Sequence, residues 1–111
     1  MRPRSGQLIF FSLGVMQLDI FARFHAQMGA EDAVADAMRD MLGPTRAEAG
    51  CLAIEIFRST RDSRLFYLHS RWTDEEAFDF HAELPHTVRF IERVTTLIDH
   101  PLDVTRAVPL S

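Results

Sequence analysis

Two kinds of hydrophobic pattern follow each other along this chain, and their order constrains the fold more than any other feature. Segments with an apolar residue at every second position, as in strands, cover residues 17–26, 51–58, 64–72 and 102–108. Segments with apolar residues at helical spacing cover residues 30–41, 73–84 and 87–99. The order is β-α-β-β-α-β once the two helical segments that flank Pro85 are taken together. We therefore predict an α+β fold of the ferredoxin-like split βαβ type, with four strands and helices on one face of the sheet.

Proline, glycine and capping residues mark the ends of these elements. Pro44 either breaks the first helix or opens a short further turn through Ala49, and Gly50 suits the end of that turn. Thr73 and Glu76 have the spacing of a capping box, in which each side chain bonds to the other residue's backbone N–H. This pattern predicts a helix that begins directly after the third strand.

The second face of the predicted sheet carries aromatic side chains among charged ones. Phe21, Phe57 and Tyr67 fall on this face, which no helix is available to cover. Large apolar side chains that share an open surface are typical of an interface. A domain of 111 residues also buries only about two-thirds of its unfolded surface. We therefore expect a homodimer in which two sheets face each other.

Charge and cysteine content exclude several classes of function. The formal net charge is −4, and the twelve cationic side chains are all arginines scattered along the chain. No basic run could follow a phosphate backbone, so we predict no nucleic-acid partner. The lone Cys51 can form no intrachain disulfide, which fits a cytoplasmic protein. No apolar run approaches the ~18 residues of a membrane span, so we predict no membrane insertion.

The first sixteen residues stand outside the predicted fold. Arg2 and Arg4 precede an apolar run at residues 8–16, which resembles a signal peptide, but no small-x-small cleavage site follows Val15. Cleavage near Ala22 would also destroy the first strand. We interpret residues 1–16 as an N-terminal extension, 17–108 as the domain and 109–111 as a tail. Met16 directly precedes the domain and could be the true start.

Candidate chemistry is concentrated around the third strand and the helix that follows it. His81 shares a helical stripe with Ala77, Phe80 and Leu84, so its imidazole should face inward. An inward histidine can act as a general base. The alternative is a core histidine whose ring is bonded to a backbone carbonyl. Spacing alone favours this alternative. His86 is either a helix-capping residue or a second polar group at a pocket mouth.

The remaining candidates give no sharper signal. Trp72 is either a core anchor or a wall of a pocket. No Gly-rich phosphate loop, no nucleophile elbow and no His–carboxylate spacing that requires a metal is present in the sequence. We therefore predict no metal and no cofactor.

Residues 17–108 resemble antibiotic biosynthesis monooxygenases. Three motifs carry the resemblance: ARFHAQMGAE in the first strand and the turn after it, TRAEAGC before the second strand, and RWTDEEAFDFHAELPH after the third strand. The spacing of Trp72, His81 and the Pro85-His86 pair is similar to that of the quinol monooxygenase subgroup.

The resemblance implies a dimeric α+β barrel with a pocket in each protomer, and oxidation of phenols or quinols by O2 without metal or flavin. On this basis His81 or His86 would be the base, and Arg71 or Arg93 would stabilise the substrate anion. The pocket would lie between the third strand and the next helix. Its walls would be three residues of the strand and one of the helix: Phe66, Leu68, Trp72 and Phe78.

The sequence also departs from some members of the family. Anthrone-oxidising members carry Asn and Tyr where this chain has Leu68 and Phe78, and haem-degrading relatives carry a histidine near Phe90 and Ile91. The alternatives to an enzyme are a dimer that binds a small apolar metabolite without turnover and a haem-binding relative.

Overall fold

The computed structural model describes residues 17–111, which form one four-stranded antiparallel sheet with three helices packed on one face. The predicted extension at residues 1–16 lies outside the described residues. The strands are β1 (Leu18–His25), β2 (Cys51–Arg58), β3 (Leu65–Trp72) and β4 (Asp103–Ala107). The helices are α1 (Glu31–Arg46), α2 (Glu75–Glu83) and α3 (Pro85–Thr95).

The sheet order is β2-β3-β1-β4, so the predicted ferredoxin-like fold is confirmed. Among residues 17–111, strand β4 pairs only with β1 and forms an edge, as expected for a strand followed by Pro109. Alternation along the two central strands directs one set of side chains to the helices. In β3 this set is Phe66, Leu68, Ser70 and Trp72, which are all buried.

Two local predictions are corrected by the structure. Helix α1 continues through Pro44 to Arg46, because the surrounding packing tolerates one missing hydrogen bond in the last turn. The cap of α2 is Asp74, whose Oδ1 accepts from the backbone N–H of Ala77 at 2.8 Å, and not Thr73. Both residue types can cap a helix, so the sequence pattern alone was off by one position.

The second face of the sheet is not covered by any other element of residues 17–111. Phe21 and Phe57 are each 50% exposed there, and Tyr67 is 42% exposed. The ring of Phe21 stacks on that of His69 at 4.8 Å between centroids. Among the described residues, no helix is long and apolar enough to cross a membrane.

Candidate functional site

A cavity of about 140 Å³ lies between the sheet and the helices α2 and α3. Its walls are mainly apolar, and only three of its residues bring polar side chains: Ser70, His81 and Thr87. Apolar pockets with a few convergent polar groups are the usual form of a small-molecule site. Leu68 and Phe78, both expected in the pocket, are among the residues that line it.

His81 reaches this cavity from the inward face of α2. Its side chain is 9% exposed, and its ring lies 4.6 Å from that of Trp72 between centroids. Phe78, one turn earlier, lies 5.7 Å from the same imidazole. The predicted inward direction is therefore observed for His81, whereas Phe80 of the same predicted stripe is 64% exposed. The rings of Trp72 and Phe78 therefore both lie against the imidazole, at tilts of 37° and 35°.

Glu48 is the functional candidate that sequence reasoning missed. Its Oε2 lies 2.6 Å from Nδ1 of His81 and 2.7 Å from Nε2 of His86. A carboxylate oxygen accepts, so each imidazole donates through the nitrogen that faces it. One oxygen of a side chain that is only 10% exposed thus joins two histidines from different helices. The sequence feature that could have identified Glu48 is its position in the TRAEAGC motif, just before β2.

A close backbone approach brings Glu48 to α2. A Cβ placed on Gly50 would lie 2.5 Å from the Cβ of Ala77, so only glycine fits at this position without a shift. The N–H of Thr73 also donates to the carbonyl oxygen of Gly50 at 3.0 Å. The segment that carries Glu48 is therefore fixed against the first turn of the helix that carries His81.

Burial controls the proton affinity of His81. Desolvation lowers the pKa of His81 below its ordinary value of 6.5, and the hydrogen bond to Glu48 partly opposes this shift. Burial also raises the pKa of the Cys51 thiol, with a further contribution from the charge of Glu48. At neutral pH the imidazole of His81 is therefore neutral and able to accept a proton.

The other expected pocket residues do not line this cavity. Trp72 lies behind His81 and donates from its indole Nε1 to Ser70 Oγ at 2.9 Å. Phe66 lines a separate hollow of about 250 Å³ near Arg58, whose guanidinium lies 4.7 Å from the Phe66 ring. Within one chain Trp72 therefore supports His81, and Phe66 belongs to another part of the surface.

Neither arginine expected to stabilise an anion faces the cavity. Arg71 pairs with Asp19 at 3.2 Å on the opposite face of the sheet. Arg93 pairs with Asp40 at 2.8 Å and lines a groove of about 330 Å³ between α1 and α3, together with His86. Each guanidinium pairs with a carboxylate away from the cavity. Neither arginine therefore contacts a substrate in the cavity of its own chain.

Glu48, His81 and His86 offer three donor atoms within 4.8 Å of one another, a set that could ligate a transition metal. Zinc lies about 2.1 Å from its histidine ligands, which places two ligands of one ion roughly 3 Å or more apart. The separations of 2.6 and 2.7 Å are those of hydrogen bonds. The donors would have to move apart before they could share a cation.

Comparison with known proteins identifies the family of this chain. The family model described as antibiotic biosynthesis monooxygenase matches residues 20–93. A Mycobacterium tuberculosis protein named "Putative monooxygenase Rv0793" is 32% identical over 91 residues, which are 82% of this chain and 89% of that protein. "Putative monooxygenase YcnE" of Bacillus subtilis is 34% identical over 62 residues, 56% of this chain and 65% of that protein.

Solved structures agree with the sequence comparison. The structure of Rv0793 superimposes with a TM-score of 0.81 at 29% identity, and covers 86% of this chain and 96% of its own. The structure of PA3566 from Pseudomonas aeruginosa gives a TM-score of 0.80 at 29% identity, with the same coverage of 86% and 96%. The likeness therefore extends over nearly all of both neighbours.

Proposed function

Because the chain belongs to the antibiotic biosynthesis monooxygenase family, we propose that it is a cofactor-independent monooxygenase for a small, electron-rich phenol or quinol. We place it in the quinol monooxygenase-like subgroup. The observation that carries this proposal is a buried imidazole, His81, in the wall of an apolar cavity. A neutral base beside a water-poor cavity is what this chemistry requires of the protein.

The proposed reaction converts a quinol and O2 into a hydroxyquinone and water. His81 takes the proton of a phenolic hydroxyl, and the resulting phenolate is electron-rich enough to reduce O2 directly. One oxygen atom enters the ring and the other leaves as water, so the substrate supplies all four electrons. The protein contributes the base, the position of the ring and the exclusion of bulk water.

The size of the cavity limits the substrate. An apolar cavity of about 150 Å³ is known to accommodate benzene. The cavity of about 140 Å³ in this chain is of similar size. We therefore expect a single-ring quinol or phenol, held against Leu68 and Phe78. A fused three-ring anthrone would require the helices to move apart.

His81 is a better candidate for the base than His86. His81 lines the cavity, whereas His86 lines the outer groove and faces Glu48 with its Nε2. His86 would take over as the base only for a substrate that binds in the groove. The two histidines can therefore be distinguished by where the substrate binds.

We also propose that the uncovered sheet face forms a homodimer interface. Phe21, Phe57 and Tyr67 remain between 42% and 50% exposed in one chain, and a second copy would cover them. Phe57→Asp should shift the mass measured by light scattering from dimer to monomer, whereas Phe80→Asp on α2 should not. A wild-type monomer at micromolar concentration would contradict the interface.

The domain boundaries and the compartment remain part of the proposal. A variant that begins at Met16 should fold and dimerise like the full chain, because residues 17–108 contain every predicted element. Insolubility of that variant would assign residues 8–13 to the sheet or the dimer interface. A cytoplasmic location is supported by the single cysteine, Cys51, which leaves the domain independent of disulfides.

Oxygen uptake tests the enzymatic part directly. Full-length protein should consume O2 with at least one member of a panel of reduced quinols and phenols, with a metal chelator present throughout. Saturable binding of these compounds without oxygen uptake would instead indicate a binding protein. A Soret band on titration with haem would indicate a haem-binding relative.

A further inference from the structure

Three observations make Glu48 more than a neighbour of the proposed base. Its Oε2 is 2.6 Å from Nδ1 of His81, a short distance that is typical of charge-assisted hydrogen bonds. Its side chain is 10% exposed, so this bond is shielded from water. Its Oε1 is buried and has no hydrogen-bond partner within residues 17–111. A buried, unpaired carboxylate oxygen is unfavourable and calls for a functional explanation.

The direction of the bond determines which nitrogen of His81 can act as a base. A neutral imidazole carries one N–H and one free lone pair. Because Nδ1 donates to Glu48, the lone pair is on Nε2. Thr87 Oγ1 lies 3.2 Å from Nδ1 and 3.5 Å from Nε2, and its hydroxyl can serve either nitrogen. Glu48 is therefore the group that selects the tautomer.

The charge of Glu48 also matters when the proton arrives. Within residues 17–111, the titratable groups that face the ring are Glu48 from the segment before β2 and His86 from α3, and the thiol of Cys51 lies near Glu48 at the start of β2. With both imidazoles neutral, an ionised Glu48 leaves the cluster with one negative charge. Transfer of the substrate proton to His81 then neutralises the cluster, which favours the imidazolium in a buried place.

We propose that Glu48 is the positioning residue of the base: it holds His81 as the Nδ1–H tautomer, turns Nε2 to the substrate and stabilises the imidazolium, while His86 holds Glu48 in place. This inference deepens the proposed function and rests on it for its catalytic part. The phenolic proton moves to Nε2 of His81, and the Nδ1 proton stays in the bond to Glu48. A carboxylate that orients a histidine in this way is the third member of catalytic triads.

The tautomer can be measured without any substrate. Nitrogen-15 chemical shifts of the ring should show His81 as the Nδ1–H tautomer in the wild type at pH 8. Glu48→Leu should give a mixture of tautomers or the Nε2–H form, whereas His86→Gln should leave His81 as Nδ1–H. An unchanged His81 tautomer in Glu48→Leu would overturn the proposal. Circular dichroism should show that each variant keeps the fold, and Glu48→Ala, which also lacks the acceptor oxygen, replaces Glu48→Leu if the latter unfolds.

Turnover supplies the second test. Glu48→Gln keeps the acceptor oxygen and removes the charge, so kcat with the best quinol should fall at least about tenfold with little change in KM. Glu48→Asp should restore part of the rate. The pH above which the rate levels off should shift in Glu48→Gln, because Glu48 contributes to the pKa of His81, and should not shift in Cys51→Ala. Equal kcat values in wild type and Glu48→Gln would overturn the catalytic part.

A metal would give a different pattern. Zn²⁺ that binds stoichiometrically at micromolar concentration, is lost in Glu48→Gln and is required for turnover would make Glu48 a ligand, and would overturn the positioning role. If the wild type oxidises no quinol, the proposed function fails. The nitrogen-15 measurement then still decides whether Glu48 sets the tautomer.

Discussion

An inner and an outer cluster of histidine and carboxylate within residues 17–111 are built in opposite ways. In the inner cluster one carboxylate, Glu48, joins two imidazoles at 2.6 and 2.7 Å. In the outer cluster one imidazole, His25, joins two carboxylates: Nδ1 lies 2.9 Å from Asp99 and Nε2 lies 3.0 Å from Asp62. The first lies beside the cavity, and the second lies where β1, the β2–β3 turn and the segment after α3 meet.

The two environments shift histidine in opposite directions. The hydrogen bonds that His25 donates to Asp99 and then to Asp62 raise the pKa of His25 above 6.5, because two negative charges favour the imidazolium. Burial lowers the pKa of His81, because one carboxylate only partly offsets desolvation. The outer histidine therefore keeps its proton to a higher pH than a free imidazole does, whereas at pH 7 the inner one is neutral and available as a base.

The same substitution in each cluster should therefore have very different effects on catalysis. His81→Gln should lower kcat by about 10²- to 10⁴-fold, the range expected for loss of a general base. His25→Gln should leave kcat unchanged, because His25 does not line the cavity. Initial rates of oxygen uptake with the same quinol measure both.

The pH profile adds a second criterion. Wild-type activity should rise with pH through the titration of His81, which lies below 6.5, and should level off above it. His81→Gln with an unchanged rate and profile would leave His81 as a packing residue. The role of base would then pass to His86.

A pair of glycines tests how the inner cluster is held together. Gly50→Ala places a methyl group 2.5 Å from the Cβ of Ala77 and should destabilise the fold by about 1–3 kcal/mol. It should also reduce kcat, because the segment that carries Glu48 must move away from α2. Gly43→Ala in α1 meets no atom within 4 Å and should stabilise the helix by up to about 1 kcal/mol.

Urea unfolding and oxygen uptake distinguish the outcomes. A Gly50→Ala variant that is less stable but keeps full kcat would show that the position of Glu48 does not limit the reaction. Equal stability of the two alanine variants would contradict the close contact itself.

Local patterns predicted the fold and the direction of His81, because both depend on periodicity. Alternation predicted the four strands and the buried faces of β1 and β3, and the helical stripe directed His81 inward. Periodicity did not predict the cap, since Thr73 and Asp74 are adjacent and equally suited to it. The path of the backbone between β3 and α2 decides which of the two residues takes the cap position.

The centre of the site could not be predicted in this way. Glu48 lies 33 residues from His81 and 38 from His86, and no local rule connects residues at that distance. It lies in a connection between elements, where no periodicity assigns a side chain to a face. The two arginines show the same limit: a charge near the site in sequence, such as Arg71, can lie on the opposite face of the sheet.

The smallest effect should be the change in stability that His25→Gln causes, and its sign follows from the raised pKa. The folded chain holds a proton on His25 more tightly than the unfolded chain does, so this stabilisation is complete below pH 6.5. It is lost as pH rises through the higher pKa of the folded state. The free energy of unfolding, measured in urea, should therefore differ most between wild type and His25→Gln at pH 5.5. The difference should shrink towards pH 9.

His81→Gln should show the opposite dependence, because burial makes protonation of His81 favour the unfolded chain. In the wild type this contribution lowers stability as pH falls below 6.5, and the variant should lack it. The variant should therefore lose less stability than the wild type between pH 7 and pH 5. The free energies of unfolding of both variants could instead run parallel to that of the wild type across this pH range. In that case neither cluster couples its protonation to folding, and the two clusters differ in geometry alone.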